Sequence, residues 1–287
     1  MEFVERFIGY VDVLGFESLV EAAEVGTGLS LDELISLLKD LGTSDQRLQF
    51  ERNGPIVCPQ SSYSTRNLDF RITQVSDCVV ISAEVSPAGV INLVNHCWGA
   101  AMMLLHKGIM CRGFITRGKI HHTAEHLVGS GYQRAYRNEK NVSAFKQEAN
   151  ERGTPFVEVD SNVSEYVDKC SDNCVKMMFS RFVKRDGDLV ALFPFQALSH
   201  SFMSSGARPF KAEAELRANE NLRGRIRRLK ECVLTHVDST NRRAVQKAGH
   251  YIRALDDQLD VCDETEDFIT ALDSPILGRS IMEEFGS

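Results

Sequence analysis

The chain alternates between short apolar runs typical of β-strands and longer stretches whose apolar residues recur at helical spacing. In the N-terminal part this pattern predicts strand 5–14, helices 16–25 and 30–41, strands 68–74 and 77–85 joined around Val75 and Ser76, helix 89–107 and strand 110–122. Ser30 and Glu33 form a capping box at the start of the second helix. The polar segment 52–67 contains two prolines and is interpreted as a loop or lid.

The central part of the chain continues this alternation. It predicts a glycine-rich turn feeding a helix within 126–153, strand 154–160, helix 161–170 and a hairpin over 178–195 with its turn at Asp186-Gly187. The order β-α-α-β-β-α-β is the split βαβ arrangement of a ferredoxin-like core. We therefore predict an α+β fold, a two-layer sandwich of helices on a sheet, with extensions to that core.

Beyond Phe195 the pattern becomes purely helical. Segments 211–236 and 241–261 carry apolar residues in steps of three and four, namely Leu222, Ile226, Leu229 and Val233 in the first and Ala248, Ile252, Leu255 and Leu259 in the second. The turn sequence DSTN between them predicts an antiparallel helical hairpin. We divide the chain into a domain over 1–195 and a helical extension over 196–287.

Composition narrows the possible partners. The formal net charge of -7 argues against nucleic acid, because binding its phosphates needs a positive field. No uninterrupted apolar run is long enough to span a membrane, and the N-terminus lacks the order of a secretory signal. The eight cysteines show neither a disulfide framework nor zinc-ligand spacing. A reduced, cytoplasmic protein is expected.

Two aspartates on predicted neighbouring strands are the first chemical signal. Asp12 interrupts the apolar strand RFIGYVDVL, and Asp77 opens the run DCVVIS. A split βαβ core places these strands side by side, and adjacent carboxylates repel unless a divalent cation lies between them. The helix that begins after Gly15 offers free N–H groups of the kind that stabilise phosphate. Taken singly, Asp77 could cap a turn and Asp12 could bond to neighbouring backbone. Together they favour a metal and nucleoside triphosphate site.

Four motifs in order make the chain resemble the class III nucleotidyl cyclases. DVLGF is similar to the first metal motif of that family, and VSDCVVIS is similar to its second metal strand, with Ser76 in place of a glycine. CRGFITRG resembles the family's Arg-x-Gly-Ile-x-x-Gly strand, with Gly113 and Phe114 in swapped order. GSGYQRAYR resembles its Gly-x-x-Val-Asn-x-Ala-x-Arg helix. The resemblance covers about residues 5–195 and implies a class III cyclase core.

The resemblance also implies roles for individual residues. The catalytic residues would be Asp12, Asp77, Arg137 and Gln133; the metal ligands Asp12, Val13 and Asp77; the triphosphate contacts Gly15, Phe16 and either Lys184 or Arg185. Two Mg²⁺ or Mn²⁺ ions would activate the ribose 3′-hydroxyl and hold the leaving pyrophosphate. Arg137 would stabilise charge at the α-phosphate, and Gln133 stands where the family has asparagine. For Lys184 and Arg185, a solvated position beside a hairpin turn is equally compatible with the sequence.

The base-contacting positions depart from the purine cyclases. The resemblance places Thr73 and His126 there, which match neither the adenine pair of lysine and aspartate nor the guanine pair of glutamate and cysteine. Compact cyclases with such changes resemble the pyrimidine cyclases of bacterial Pycsar antiphage defence, whose cyclic UMP or cyclic CMP acts on a separate effector protein. We favour UTP as substrate on its frequency in that family, with a cytidylate cyclase and then a purine cyclase as alternatives.

Family members build the active site across a dimer interface. Because this one chain carries both the aspartates and the arginine helix, the resemblance implies a homodimer with two shared sites. Two other classes of function stay open at this point, a non-catalytic nucleotide sensor with a cyclase-like fold and a scaffold whose helical tail binds a partner. Metal-dependent release of pyrophosphate from a nucleoside triphosphate separates both of them from the enzyme.

Overall fold

A computed structural model describes residues 2–42, 68–198 and 210–273. The predicted loop or lid over 52–67 lies outside these residues. The strands are β1 Val4–Val13, β2 Phe70–Val75, β3 Cys78–Glu84, β4 Cys111–His122, β5 Leu127–Val128, β6 Val157–Val159, β7 Val183–Asp186 and β8 Leu189–Leu192. The helices are α1 Phe16–Glu24, α2 Leu31–Gly42, α3 Pro87–His106, α4 Ser130–Glu139, α5 Ser161–Asp168, α6 Asn173–Ser180, α7 Ala212–Thr235 and α8 Arg242–Asp273, with a 3₁₀ turn at Pro194–Leu198.

The sheet has the strand order β2-β3-β1-β4-β6-β8-β7, and the short β5 pairs with β4. Strand β1 is antiparallel to both β3 and β4, and β2 is antiparallel to β3. This is the order that a split βαβ unit with two crossing helices produces. The predicted α+β fold, a ferredoxin-like core with extensions and a C-terminal helical hairpin, is confirmed.

Strand β1 separates two apolar layers because its side chains alternate between the faces of the sheet. Phe7, Val11 and Val13 belong to the large cluster that also contains the buried face of α3. Ile8 and Tyr10 belong to a smaller cluster on the opposite face, together with Ala135 of α4. The other members of this cluster come from strands and from α4: Cys78, Val80, Ile120, Leu127 and Tyr132. Asp12 continues the second series, so its carboxylate lies on the α4 face of the sheet.

Helix α3 is the central helix of the core. Ser86 caps it through a 3.0 Å bond from the Gly89 N–H to its hydroxyl, and Pro87 occupies the first turn, where its missing N–H costs nothing. Among the described residues, α3 is the one helix that is long and apolar enough to cross a membrane. However, 72% of its most apolar 18-residue segment is buried inside the protein. That degree of burial is the usual state of a core helix.

Helices α7 and α8 form the predicted antiparallel hairpin, which packs on the core. Leu222, Ile226, Leu229 and Val233 are all buried, and they share a cluster with Phe195 from the end of the sheet region. The Tyr251 hydroxyl of α8 accepts a long 3.5 Å bond from the backbone N–H of Cys111, where β4 begins. The proposed boundary between 195 and 196 stays a prediction, and the hairpin is joined to the sheet region by a common apolar cluster.

Two local predictions need correction. The segment interpreted as the start of a hairpin at 178 instead ends helix α6, which the Asp172 side chain caps by accepting from the Cys174 N–H at 2.8 Å. The β7–β8 turn lies at Gly187-Asp188, one residue later than predicted, because Asp186 still pairs with Leu189. The capping box, in contrast, is present: the Ser30 N–H donates to the Glu33 carboxylate at 2.8 Å. All seven cysteines of the described ranges are free thiols.

Candidate active site

Asp12 lies near the end of β1 and is half-buried on the α4 face. Across β1 it pairs with Cys78 of β3 on one side and Arg112 of β4 on the other. Directly paired residues of antiparallel strands share a face, so the Arg112 guanidinium stands on the same side as the Asp12 carboxylate. Asp12 is therefore held in the middle of the sheet rather than at an edge.

Asp77 is brought to the same place by the tight turn between β2 and β3. Ser76 adopts a left-handed conformation, with φ of 53°, at the position where the resembled motif has glycine. The backbone N–H of Val13 donates to the Asp77 carbonyl at 3.2 Å, which ties this turn to the end of β1. The structure thus brings together Asp12, Val13 and Asp77, the three residues predicted as metal ligands.

The electrostatics of Asp12 are those of a crowded carboxylate. Burial, followed by the negative charges of Glu139 and Asp77, raises its pKa from 3.8 to about 7, and the positive charges of Arg112 and Lys140 oppose that rise. Within the described part of the chain, no hydrogen bond to either aspartate carboxylate is present. These neighbours and burial therefore disfavour the charged form of Asp12, and a bound cation would supply the missing compensation.

Glu139 was not anticipated from the sequence. It is the last residue of α4, it is 1% exposed, and its carboxylate accepts from Arg112 Nε at 2.5 Å. Glu139 thereby occupies the guanidinium that would otherwise neutralise Asp12. Its only sequence signal is its spacing of two residues after Arg137, a weak one for a helix end.

A divalent cation fits this arrangement. Mg²⁺ in nucleotide enzymes is bound by one or two carboxylates and completes its shell with water and substrate phosphates. In the residues that the structure describes, no group of three or more His, Cys, Asp or Glu side chains is assembled for metal binding. The Asp12–Asp77 pair matches the first requirement, and its uncompensated charge gives it a reason to bind a cation.

The start of α1 adjoins this pair. Gly15 occupies the N-cap position with φ of 75°, a conformation that residues with a Cβ rarely adopt. No side chain caps the first turn of α1, so its amides are available to an anion. Phe16 packs against the main core from this turn. The predicted triphosphate contacts Gly15 and Phe16 therefore lie directly after the predicted metal ligands.

Helix α4 presents Gln133 and Arg137 on its outer face. The helix approaches the sheet closely because two glycines meet there: a Cβ on Gly118 would lie 2.9 Å from the Cα of Gly131. Ala135 is buried beneath the helix, whereas Gln133 and Arg137 are exposed one turn apart, with Arg137 Nε donating to the Gln133 carbonyl at 3.2 Å. Both predicted catalytic side chains thus face away from their own sheet.

Lys184 and Arg185 lie far from the aspartates of the same chain. They belong to β7, the edge strand, and three strands separate it from β1. The Lys184 ammonium lies 4.5 Å from the ring centroid of Phe193, and Arg185 forms an exposed ion pair with Asp168 at 3.0 Å. The structure does not bring either residue to the metal ligands within one chain.

The two predicted base contacts are separated as well. His126 is exposed, and its backbone N–H donates to the Thr123 hydroxyl. Thr73 of β2 instead contacts His122, whose Nε2 lies 2.8 Å from the Thr73 hydroxyl. His122 lies two residues beyond the last β1–β4 pair, Val4 with Ile120, and its side chain contacts Ser82 of β3 and Thr73 of β2. No local pattern shows this contact.

Helix α8 contributes one further charged residue near the aspartates. Burial and the positive charge of Arg112 lower the pKa of Lys247, while the charges of Glu139 and Asp12 oppose that shift. Lys247 lies one helical turn before Tyr251, the residue that contacts the start of β4. The C-terminal hairpin therefore approaches the same end of β1 as the metal ligands.

A hollow with a volume of about 560 Å³ lies elsewhere in the described structure. Its lining includes Arg117 and Tyr166, and Tyr166 packs edge-on against Phe7, which belongs to the α3 face of the sheet. Asp12 is on the opposite face. This hollow is therefore separate from the site described here.

No protein-family model and no curated protein matches the chain. Among solved structures it is similar to the catalytic core of a rhodopsin-guanylyl cyclase with converted specificity, in complex with ATPαS. The two are 13% identical, the match covers 59% of this chain and 83% of that one, and the TM-score is 0.36. A likeness of this size assigns no activity, which has to be inferred from the residues of the site.

Proposed function

We propose that this protein is a nucleotidyl cyclase, a phosphorus–oxygen lyase that converts UTP to 3′,5′-cyclic UMP and pyrophosphate. The observation that carries the proposal is the pairing of Asp12 and Asp77 at the end of β1, beside the uncapped start of α1. Two carboxylates, an uncompensated negative charge and free helix amides are the groups that a metal-bound triphosphate needs. The four motifs that resemble class III cyclases lie on β1 and the start of α1, on the β2–β3 turn and β3, on β4, and on α4, and this resemblance also supports the proposal.

In the proposed reaction Asp12 and Asp77 bind Mg²⁺ or Mn²⁺, two ions per site, with the adjoining Val13 as a further ligand. Bound there, the divalent cations would lower the pKa of the ribose 3′-hydroxyl and neutralise the phosphates. Gly15 and Phe16 direct the first-turn amides of α1 at the triphosphate. Gln133 orients the ribose, and the Arg137 guanidinium stabilises the charge that develops on the α-phosphate.

The proposed enzyme is a homodimer with shared sites. Gln133 and Arg137 are exposed and face away from their own sheet, so a second copy of the chain is the natural recipient of their side chains. Lys184 and Arg185 lie far from the aspartates of their own chain. In the proposed dimer, a contact between either residue and the triphosphate would therefore come from the second copy. Each dimer then contains two equivalent sites.

We further propose a biological setting on the resemblance to pyrimidine cyclases. Cyclic UMP would be a second messenger of bacterial antiphage defence, made in the cytoplasm and sensed by a separate effector protein. Neither nucleic acid nor a membrane is a partner in this proposal. Thr73 is polar and half-buried, and it offers a single neutral hydroxyl where purine cyclases use larger, matched groups.

The deciding experiment offers ATP, GTP, CTP and UTP together to the purified protein with Mn²⁺ and identifies the cyclic products by mass. Cyclic UMP is expected as the main product, with release of pyrophosphate. Cyclic CMP as the main product would move the assignment to a cytidylate cyclase, and cyclic AMP or cyclic GMP to a purine cyclase. Binding of a nucleotide without cyclisation would establish a sensor instead.

A further inference from the structure

A row of four hydrogen-bonded side chains crosses the α4 face of the sheet and ends at Thr73. Arg6 Nε donates to the Ser82 hydroxyl at 2.9 Å, and that hydroxyl lies 2.8 Å from His122 Nδ1. His122 Nε2 in turn lies 2.8 Å from the Thr73 hydroxyl. Arg6, Ser82 and His122 are buried, whereas Thr73 is half-buried. The row therefore leads from the interior to the predicted base-binding position.

The direction of each hydrogen bond follows from Arg6, because a guanidinium can only donate. The Ser82 hydroxyl accepts from Arg6, so its own hydrogen needs another acceptor, and His122 Nδ1 is the one within reach in the described structure. A histidine with its hydrogen on Nδ1 would instead leave the Ser82 hydrogen buried and unpaired, which is unfavourable. Nδ1 is therefore the acceptor.

His122 carries a single hydrogen. Burial, followed by the positive charges of Arg6 and Arg71, lowers its pKa to about 4, and only the Asp69 charge opposes this. A neutral imidazole whose Nδ1 accepts must carry its hydrogen on Nε2. His122 consequently donates to the Thr73 oxygen. In the described part of the chain, the Thr73 hydroxyl then has no acceptor for its own hydrogen.

We propose that His122 is a positioning residue that fixes the Thr73 hydroxyl as a hydrogen-bond donor towards a keto oxygen of the substrate base. This inference rests on the proposed function and deepens it. Uracil presents a carbonyl oxygen at its 4-position, which accepts the Thr73 hydrogen, whereas cytosine presents an amino group there, which leaves that hydrogen without an acceptor. Thr73 is thereby a means of selecting UTP over CTP, a choice that the sequence leaves open.

The first test compares the kcat/KM for UTP with that for CTP in the purified enzyme. We expect the wild type to favour UTP by about tenfold or more, Thr73→Val to bring the ratio close to one, and Thr73→Ser to retain the preference. Ser82→Ala, at a residue that never reaches the substrate, is expected to reduce the ratio because it releases the orientation of His122. Thr270→Val, which removes an exposed hydroxyl on α8, is the matched control.

The second test reads the tautomer directly by ¹H–¹⁵N correlation spectra of protein labelled with ¹⁵N-histidine, with His122→Gln used to assign the signal. A hydrogen on Nε2 at neutral pH is expected, and Ser82→Ala is expected to shift the Nδ1 signal. A hydrogen on Nδ1, or a UTP-to-CTP ratio that Thr73→Val leaves unchanged, overturns the inference even if cyclic UMP is made. If no triphosphate is cyclised while the hydrogen is on Nε2, the proposed function fails, and the assignment of a base to Thr73 fails with it.

Discussion

The two ends of β1 differ in how their polar side chains are paired. At one end the acidic side chains of Asp12, Asp77 and Glu139 lie close together, and only part of their charge is compensated. At the other end, on the same face of the sheet, Arg6 and its neighbours have hydrogen-bond or ion-pair partners. There Arg6 donates to Ser82 and pairs with Asp69, and Ser82 is bonded to His122. The difference separates two uses of buried polar groups. The Arg6 end stabilises the fold, and the Asp12 end gives up stability to hold a charge that a ligand can use.

The largest expected effect is the loss of activity in Asp12→Asn and Asp77→Asn. Each change removes a ligand charge but keeps the side-chain shape, so turnover should fall by about a thousandfold or more, since a metal supplies several kcal/mol of charge stabilisation. The melting temperature of Asp12→Asn should not fall, because like-charge repulsion is relieved. Mn²⁺-dependent turnover at wild-type rates in both variants would contradict the assignment of these carboxylates.

Mixing two inactive chains tests whether the Asp12 end is completed by a second copy. Asp12→Asn and Arg137→Ala chains, exchanged to equilibrium, form mixed dimers in about half of the population, each with one intact site of two. Activity should therefore recover to about a quarter of the wild-type value, measured as cyclic product per chain. Unchanged inactivity, with subunit exchange verified by tagged chains, would show that each site is built within one chain.

Substitutions at the Arg6 end of β1 should lower the stability of the protein. Arg6→Met removes a buried guanidinium from the Asp69 ion pair and from Ser82, with an expected loss of about 2–3 kcal/mol in the free energy of unfolding. Urea unfolding measures this loss. Arg117→Met, which breaks the more exposed pair with Glu5, is the matched control and should cost less than about 1 kcal/mol. Equal losses in the two variants would remove the contrast between the ends of β1.

The pH dependence of stability tests the crowding around Asp12. Its folded-state pKa of about 7 lies above the ordinary value of 3.8, so between these values the folded protein holds a proton that the unfolded chain has released. Stability should fall as pH rises from about 4 to 7 and level off above that. The melting temperature in EDTA at pH 5 and pH 8 measures the fall, which should be smaller in Asp12→Asn.

The same experiment includes a metal arm. Mn²⁺ at pH 8 should raise the melting temperature of the wild type and have less effect on Asp12→Asn, because ligands that bind the folded state stabilise it. Identical pH profiles in the two proteins would show that Asp12 is not the group responsible.

The smallest expected effect concerns the backbone beside the acidic pair. Gly15→Ala places a Cβ on a residue with φ of 75° and should cost about 1–2 kcal/mol in the free energy of unfolding. Gly187→Ala, in the β7–β8 turn with φ of 58°, also meets open space and should cost a similar amount. Only Gly15→Ala is expected to raise the KM for the triphosphate as well. A KM that both variants leave unchanged would remove α1 from the site.

The parts of the fold that the sequence predicts are those with local signals. The β1–turn–α1 unit, the capping box of Ser30 and Glu33, and the apolar stripes of the hairpin helices each depend on residues close together along the chain. Helix α6 was missed because its eight residues follow a short helix and precede a strand, and its cap at Asp172 is the one clear signal.

In the candidate site, too, some contacts could be predicted from the sequence and others could not. Asp12 and Asp77 could be placed together because a split βαβ order makes their strands neighbours. The contact of Thr73 with His122, rather than with His126, joins residues 49 positions apart and depends on how far β4 extends beyond its pairing with β1. The pairing of Glu139 with Arg112 likewise depends on where α4 ends above β4. Contacts of this kind are products of tertiary packing, which local patterns do not encode.

The contact between Tyr251 and Cys111 has a consequence for how the protein is made. It joins residues 140 positions apart, and the apolar cluster around it draws on residues from Leu105 to Cys262. During synthesis the sheet region emerges from the ribosome well before α8 does, so this half of its core stays incomplete until most of the chain has been translated. Its final packing is a late, long-range step of folding, during which the exposed apolar surface favours binding by a chaperone.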